Sequence, residues 1–203
     1  MERKPFVKGA YDIHFHTSPD VVKRKCSDME LARRAKEAGM AGFVIKNHDM
    51  DTAGRAAVLQ ELYPELKIAG GITLNRSVGG LNPQAVEKMA RMGGKMVWFP
   101  TLESLEYQKF RNPGKTAEEL PEGLLTVFGQ NGELKKEVYE ILKLCSEYDL
   151  AVGTGHMAAK EGLAVIAAGK AAGVKRMIVT HADNPADAYT VEQQKEAVSM
   201  GAF

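Results

Sequence analysis

The chain has 203 residues, with 27 basic and 26 acidic side chains and a formal net charge of +1. This length suits one domain with one core, and the balanced charge argues against nucleic acid or a membrane surface as a partner. No apolar run approaches the roughly 18 residues of a membrane span. Met1 to Pro5 carry no apolar signal segment, and Cys26 and Cys145 lie far apart. We therefore predict a cytoplasmic protein with reduced thiols and a small-molecule substrate.

Short runs rich in β-branched and aromatic residues alternate with amphipathic segments along the chain. The predicted strands are Ala10 to His16, Gly42 to Asn47, Leu66 to Leu74, Lys95 to Pro100, Ala151 to His156 and Lys175 to His181. The predicted helices lie at about 28–38, 52–63, 83–92, 133–148, 158–172 and 191–200. Strands and helices that alternate at this spacing pair in parallel with right-handed crossovers.

Several helix ends carry recognisable signals. Ser27 with Glu30 predicts a capping box, and Asn82 before Pro83 predicts an N-cap followed by proline in the first turn. Glycines follow three of the helices, where a left-handed residue ends a helix well: Gly39, Gly93 and Gly173.

We predict a single domain over residues 1–203 that forms a TIM-type (β/α) barrel. Polar residues end strands one, two, five and six, as on the active rim of a barrel, and Thr17 to Asp20 replace the glycine-rich turn of an open nucleotide-binding sheet. Six complete units leave an eight-stranded barrel unclosed, and Gly201 to Phe203 resemble the start of a seventh strand. The exposed sheet edge predicts a homo-oligomer.

One connection is much longer than the others. Residues 102–132 form an insertion on the rim, within which Leu124 to Phe128 predict a small hairpin arm. An insertion at this place is either a lid or substrate loop, or an oligomer contact.

All five histidines fall where a predicted strand ends: His14, His16, His48, His156 and His181. The alternation of the first strand puts Asp12, His14 and His16 on one face. Neutral imidazole is the commonest protein metal ligand, so this pattern predicts that the five side chains gather around a divalent metal. An imidazole-rich site favours Zn²⁺ as the first guess, with Mn²⁺, Fe²⁺ or Ni²⁺ as alternatives.

Other polar residues are candidates for chemistry beside the metal. Lys46 lies two residues before His48 on the inner strand face, where it would pair with Asp12, become an anionic ligand by modification, or act as an amine of lowered pKa. Asp183 is placed to accept a proton, although it also suits a plain turn. Asp20 and Arg76 are loop residues expected to bind substrate.

The Asp12-x-His14-x-His16 pattern, followed by His156 and His181 at later strand ends, resembles the metal-dependent amidohydrolase superfamily and a poorly characterised cytosolic group within it. That resemblance implies that the first pair holds the more buried ion and the later pair a second ion or the substrate. The usual carboxylate after strand four and the general-base Asp after strand eight are missing.

The tripeptide Lys46-Asn47-His48 is similar to the Thr-Asp-His that ends strand two of the polymerase-and-histidinol-phosphatase (PHP) phosphoesterases, with Asn in place of Asp. The amidohydrolase resemblance comes first, and from it we expect a metal-dependent hydrolase that cleaves a small-molecule amide, ester or lactone-type bond through a metal-activated water. The alternatives are a PHP-like phosphoesterase, a non-catalytic metal-binding barrel, and a Schiff-base lyase that uses Lys46.

Overall fold

The computed structural model describes residues 6–203, so the prediction for Met1 to Pro5 lies outside the described residues. Its strands are β1 (Tyr11–His16), β2 (Gly42–Lys46), β3 (Lys67–Thr73), β4 (Met96–Trp98), β5 (Ala151–Gly153) and β6 (Arg176–Ile178). Its α-helices are α1 (Asp28–Glu37), α2 (Ala53–Leu62), α3 (Pro83–Arg91), α4 (Leu105–Arg111), α5 (Lys136–Glu147), α6 (Ala159–Ala171) and α7 (Val191–Ser199). Within these residues no helix has the length and apolar character needed to cross a membrane.

The six strands form one parallel sheet in sequence order. The sheet curls, and the fold is an incomplete TIM-type barrel, as predicted. Beyond β6, Phe203 N–H donates to the Met177 carbonyl (2.9 Å) and Val179 N–H donates to the Phe203 carbonyl (2.8 Å). Residues 201–203 therefore begin to pair as a seventh strand, which confirms the prediction for this segment.

The core lies between the sheet and its helices. Phe43 and Ile45 of β2 pack there with α1 and α2 residues, and Ile72, Val97 and Val152 of later strands pack with the residues of α3, α5 and α6. Cys145 belongs to this core, and Cys26 is also buried. Burial of these apolar faces is the main favourable contribution to folding.

The concave face of the sheet is open at the amino ends of the strands. A cavity of about 860 Å³ lies there, and the residues that line it include Tyr11, Ile13, Val44, Met96, Ile178 and Phe203. Tyr11 and Ile13 remain partly exposed because nothing in the described chain covers this face. The association of copies stays a prediction.

Strand β1 is irregular, and the irregularity changes which side chains face inward. Its register with β2 shifts between Asp12, which pairs with Phe43, and Phe15, which pairs with Ile45. Such a bulge reverses the facing of the residues on one side of it. Asp12 therefore follows Phe43 to the helix-covered face, and the prediction that it shares a face with His14 and His16 is wrong.

The helix ends follow the predicted signals closely. Ser27 accepts a hydrogen bond from Glu30 N–H, and Asn82 caps α3 by accepting from Gln84 and Ala85. Gly39, Gly93 and Gly173 all have positive φ angles. The reciprocal capping box occurs instead at the start of α7, between Thr190 and Gln193.

The insertion agrees with the prediction only in part. The predicted arm at 124–128 forms only in part: Phe128 pairs antiparallel with Leu134 across the turn at residues 129–132, where Lys135 N–H donates to the Val127 carbonyl at 2.9 Å. Leu125 makes one isolated parallel bridge with Ser104, and no strand forms. The insertion contains α4, which Ser104 caps by accepting from Tyr107 N–H. A buried glutamate of α6, Glu161, accepts from Val127 N–H at 3.0 Å and fixes the far end of the insertion.

Gly70 of β3 and Gly54 of α2 differ in the space around them, and together they test how closely β3 packs. A Cβ at Gly70 would lie 2.4 Å from the backbone of Thr52, whereas a Cβ at Gly54 would meet only the flexible end of Met92 at 3.3 Å. We expect Gly70→Ala to lower the free energy of unfolding by about 1 to 3 kcal/mol or more, and Gly54→Ala to raise it by up to about 1 kcal/mol through helix propensity. Urea denaturation measures both, and equal stability of the two variants would contradict this packing.

Candidate metal centre

Five imidazole rings form a closed circle at the carboxyl ends of the strands, and we call this group the histidine cluster. Ring centroids of successive members lie 5.4 Å apart for His14 and His16, 4.6 Å for His16 and His48, and 5.8 Å for His48 and His156. The circle closes through His156 and His181 at 5.5 Å and through His181 and His14 at 4.8 Å. The prediction that these five side chains converge is confirmed.

The cluster members come from four strands that are distant in sequence. His14 and His16 belong to β1, while His48, His156 and His181 follow β2, β5 and β6. Parallel strands direct their carboxyl ends to one rim, and the curl of the sheet brings the end of β6 back to β1.

Burial keeps the cluster uncharged. It lowers the pKa of His14 to about 3, of His16 to about 4, of His48 to about 2 and of His156 to about 3, with the charge of Lys46 as the next cause in each case. The pKa of His181 is lowered for the same two reasons. The rings are therefore neutral at physiological pH, which is the form that binds a metal.

Two cluster nitrogens are buried without a hydrogen-bond partner in the described chain, namely Nδ1 of His16 and Nδ1 of His156. Buried ring nitrogens are normally satisfied by protein, water or a metal. Each of these nitrogens can donate a lone pair to a cation, so the residues fit a divalent metal.

The rings are not arranged as a finished coordination sphere. Among residues 6–203, no three His, Cys, Asp or Glu side chains already meet the geometry of a metal site. The planes of neighbouring rings are tilted by 24° to 63°, and Nζ of Lys46 lies 3.1 Å from Nε2 of His14. Binding of an ion through that nitrogen requires the lysine amine to give up this contact and the rings to turn.

A buried polar network holds His48 in place. Its Nδ1 lies 2.8 Å from the hydroxyl of Thr101, and the Asn75 amide donates both to that hydroxyl (2.8 Å) and to the His48 carbonyl (2.9 Å). Thr101 N–H donates to Asn75 Oδ1 in return. Sequence reasoning missed both residues, although each follows a strand, β4 or β3, and that position was the available signal.

The insertion reaches the cluster at His156. The Tyr107 ring of α4 lies 5.1 Å from the His156 ring, and the Ser104 hydroxyl donates to the His156 carbonyl. The role of the insertion, as a lid or substrate loop or as an oligomer contact, stays a prediction.

Lys46 lies fully buried beneath the cluster, as predicted. Its Nζ is 5.0 Å from the Trp98 ring centroid, and burial lowers its pKa to about 7. The expected pair with Asp12 is wrong: the Asp12 carboxylate accepts from His14 N–H at 2.9 Å. The carboxylate whose charge raises the pKa of Lys46 is Asp187.

Asp187 was not predicted. It lies in the loop after β6, is 2% exposed, and neither carboxylate oxygen has a hydrogen-bond partner in the described chain. Burial raises its pKa to about 7. The predicted proton acceptor of the same loop, Asp183, is instead exposed and accepts from Gln194 at 3.1 Å. No sequence signal separates the two aspartates, because the burial of one depends on how the loop packs.

The two predicted substrate-binding residues lie in different surroundings. Asp20 forms an ion pair with Arg24 at 2.7 Å, and its charge raises the pKa of His16 against the other influences, so it lies within electrostatic reach of the cluster. It also lines a cavity of about 240 Å³. Arg76 is exposed and donates to the Glu122 carbonyl at 2.9 Å, so its guanidinium holds the insertion rather than facing the histidines.

A family of proteins matches almost the whole chain. The family described as "Family of unknown function (DUF6282)" matches residues 9–203. The chain belongs to this family. No curated protein matches this DUF6282 chain in sequence.

Solved structures match this DUF6282 member only distantly. A crystal structure of a protein named as a deoxyribose-phosphate aldolase, from Coccidioides immitis, matches with a TM-score of 0.55 and 11% identity, over 98% of this chain and 69% of that chain. At this identity the likeness shows a barrel-type fold and nothing about activity.

Two further structures match below a TM-score of 0.5 and carry no argument. They are a dihydropteroate synthase from Thermus thermophilus (0.44, 13% identity, 96% of this chain and 69% of that one) and a Xaa-Pro dipeptidase with bound methionine (0.45, 14% identity, 96% and 52%).

The burial of Asp187 gives a pH-dependent prediction. The folded protein keeps this proton up to about pH 7, whereas an unfolded chain releases it near pH 3.8. The stability that the protonated group contributes is therefore complete below about pH 4 and is lost as the pH rises through about 7. The Asp187→Asn side chain does not ionise. Its free energy of unfolding, relative to that of the unchanged protein, should therefore increase as the pH rises from about 4 to about 7.

The pKa shift from 3.8 to about 7, at about 1.4 kcal/mol for each pKa unit, limits this gain to about 4 kcal/mol. Urea denaturation at several pH values measures it, with Asp183→Asn as the exposed control, whose difference from the unchanged protein should stay flat. Parallel pH profiles for the unchanged protein and Asp187→Asn would contradict the buried location of the carboxylate.

Proposed function

We propose that this protein is a metal-dependent hydrolase that cleaves an amide, ester or lactone-type bond in a small molecule. The observation that carries the proposal is the closed circle of five neutral imidazoles, contributed by four strands, with two buried ring nitrogens that lack a partner in the described residues. A structural role does not explain why every histidine of the chain lies at this rim.

The histidine cluster would hold the cation, with Zn²⁺ the first choice for an imidazole-rich site and Mn²⁺, Fe²⁺ or Ni²⁺ as alternatives. When bound, such a cation would lower the pKa of a water molecule and polarise the scissile carbonyl. The order of the histidines along the chain resembles that of the amidohydrolase superfamily, which supports hydrolysis as the reaction class.

The chain's own residues prepare the surroundings of this reaction. Asn75 and Thr101 fix the His48 ring, in the manner of the outer residues that orient metal ligands. Tyr107 covers His156 from the insertion and would reduce the access of bulk water to the cluster. Asn75 follows β3, where a PHP phosphoesterase carries an acidic metal ligand. Its side chain is an amide and not a carboxylate, and this amide bonds to the His48 carbonyl and to Thr101.

Metal content tests the proposal before any substrate is known. We expect protein purified without an affinity tag to contain a divalent transition metal, and a His14→Ala/His16→Ala variant to lose most of it, because neighbouring imidazoles supply the ligands. Tyr11→Phe, at the opposite end of β1, is the matched control and should keep the metal. Elemental analysis by mass spectrometry measures the metal content of all three proteins. Equal metal content in the double variant and the unchanged protein would contradict the proposal.

A Schiff-base lyase is the second candidate, favoured by Lys46. This lysine is fully buried, and no carboxylate within the described residues lies at ion-pair distance from it. An amine in such surroundings can attack the carbonyl group of a substrate.

Reductive trapping separates the two candidates. With sodium borohydride and a panel of small aldehydes and ketones, a lyase would form an imine on Lys46 with loss of water, and the hydride would reduce it. Chelator-treated protein would then gain the mass of the carbonyl compound less one oxygen atom, and Lys46→Arg would not. The hydrolase proposal predicts no such adduct, and hydrolysis that stops on metal removal. A Lys46 adduct in metal-free protein would favour the lyase instead.

A further inference from the structure

The loop between β6 and α7 contains a buried carboxylate, Asp187, that stabilises the described chain through no hydrogen bond of its side chain. Asp187 is 2% exposed, and both of its oxygens are without a hydrogen-bond partner in the described chain. A buried carboxylate without partners is costly, and native proteins rarely keep one outside a functional site.

The loop is built so that this residue stays buried. Tyr189 packs its ring against α6 at Gly162, where an added Cβ would lie 1.7 Å from Tyr189 Oη and 3.0 Å from Cζ. Ala188, between the two buried residues, has a φ of 44°, a left-handed conformation that alanine rarely adopts. The Asn184 carbonyl accepts from both Asp187 N–H (2.9 Å) and Ala188 N–H (2.8 Å). The strained backbone at Ala188 and the close packing of Tyr189 on α6 hold the segment that carries Asp187.

Asp187 lies within electrostatic reach of the amine beneath the histidine cluster. The charged group that acts on Asp187 is Lys46 of β2, and Lys46 in turn lies 3.1 Å from Nε2 of His14. Other ionisable groups in or beside the loop include His181, Asp183, Tyr189 and Glu161 of α6. Asp183 is bonded to Gln194, and the Glu161 carboxylate accepts from Val127 N–H and the Thr126 hydroxyl. Within residues 6–203, Asp187 thus keeps both carboxylate oxygens free to accept a proton or a hydrogen bond.

We propose that Asp187 is the proton-transfer residue of this site, and the Tyr189–Gly162 contact is the device that positions it. The inference rests on the hydrolase function proposed above. The Asp187 carboxylate accepts a proton as an O–H bond of water breaks and the water oxygen bonds to the substrate carbonyl carbon. When the bond from that carbon to the leaving nitrogen or oxygen breaks, the same proton passes to the leaving atom. The carboxylate is regenerated without net change.

The acid–base properties of the group agree with this role. Burial places its pKa at about 7, near the pH at which a general base is most efficient. Hydrolysis should therefore increase as the pH rises through about 7 and Asp187 loses its proton. The alternative aspartate of the loop, Asp183, is exposed to solvent and already bonded to Gln194.

The experiment uses the full chain, purified without a tag, with metal content measured first and hydrolysis of p-nitrophenyl esters and anilides measured next. We expect Asp187→Asn to keep the metal content of the unchanged protein and to lose about 100-fold or more in kcat, together with the rise of activity near pH 7. Glu192→Gln, an exposed carboxylate in the first turn of α7, is the matched control and should keep its activity. Asp183→Asn tests the competing assignment and should also remain active.

A second pair of variants tests the positioning device without changing any group near the cluster. Gly162→Ala should push Tyr189 away from α6, displace the loop, and lower kcat while metal content is kept. Adding Tyr189→Phe removes the 1.7 Å conflict and should restore part of kcat. A merely structural role would lower the urea midpoint of Asp187→Asn at all pH values, whereas this proposal predicts a higher midpoint above about pH 7.

The outcomes separate this proposal from the one it rests on. An unchanged protein that holds metal but cleaves no probe would overturn both. An active, metal-loaded protein whose Asp187→Asn variant keeps its activity and pH profile, or whose Asp183→Asn variant loses them, would overturn the assignment of Asp187 alone.

Discussion

The structure depends on one constraint: six strands pair in parallel and in the order in which they occur in the sequence. Every strand therefore ends at the same rim, and residues 14 and 181, at the two edges of the sheet, come within 4.8 Å between ring centroids because the sheet curls. The same arrangement fills the outer face with a helix-covered core and leaves the inner face at the amino ends open. The positions of the five histidines and of Lys46 follow from this strand order.

Packing the rim with polar groups has a thermodynamic cost that the core must offset. Lys46 is fully buried, five imidazoles have depressed pKa values, and Asp187 lies without a hydrogen-bond partner in the described chain. Each of these features opposes folding, since removing a polar or charged group from water is unfavourable. Proteins accept such destabilised sites where function needs preorganised groups. The hydrogen bonds of Asn75 and Thr101, and the packing of Tyr189 on Gly162, keep the arrangement in place.

Much of the fold was predictable because strand and helix periodicity are local properties, and the gathering of the histidines followed from strand polarity alone. The facing of Asp12 was not predictable, because the bulge in β1 arises from pairing with β2. Helix α4 was missed although its signals are present in the sequence: Ser104 as cap, Glu106 in the first turn, and Lys109 near the end. Asp187 could not be distinguished from Asp183 because its burial depends on a contact between a loop and a distant helix.

The most direct test of the account is a crystal structure of the protein grown with Zn²⁺, with diffraction measured on both sides of the zinc absorption edge. Anomalous scattering locates the ion without reference to any assumed ligand. The account predicts an anomalous peak enclosed by the imidazoles of the histidine cluster, at bonding distance (about 2.0 to 2.1 Å) from their nitrogens. A cluster without such a peak, in crystals whose zinc lies only at surface positions, would contradict it.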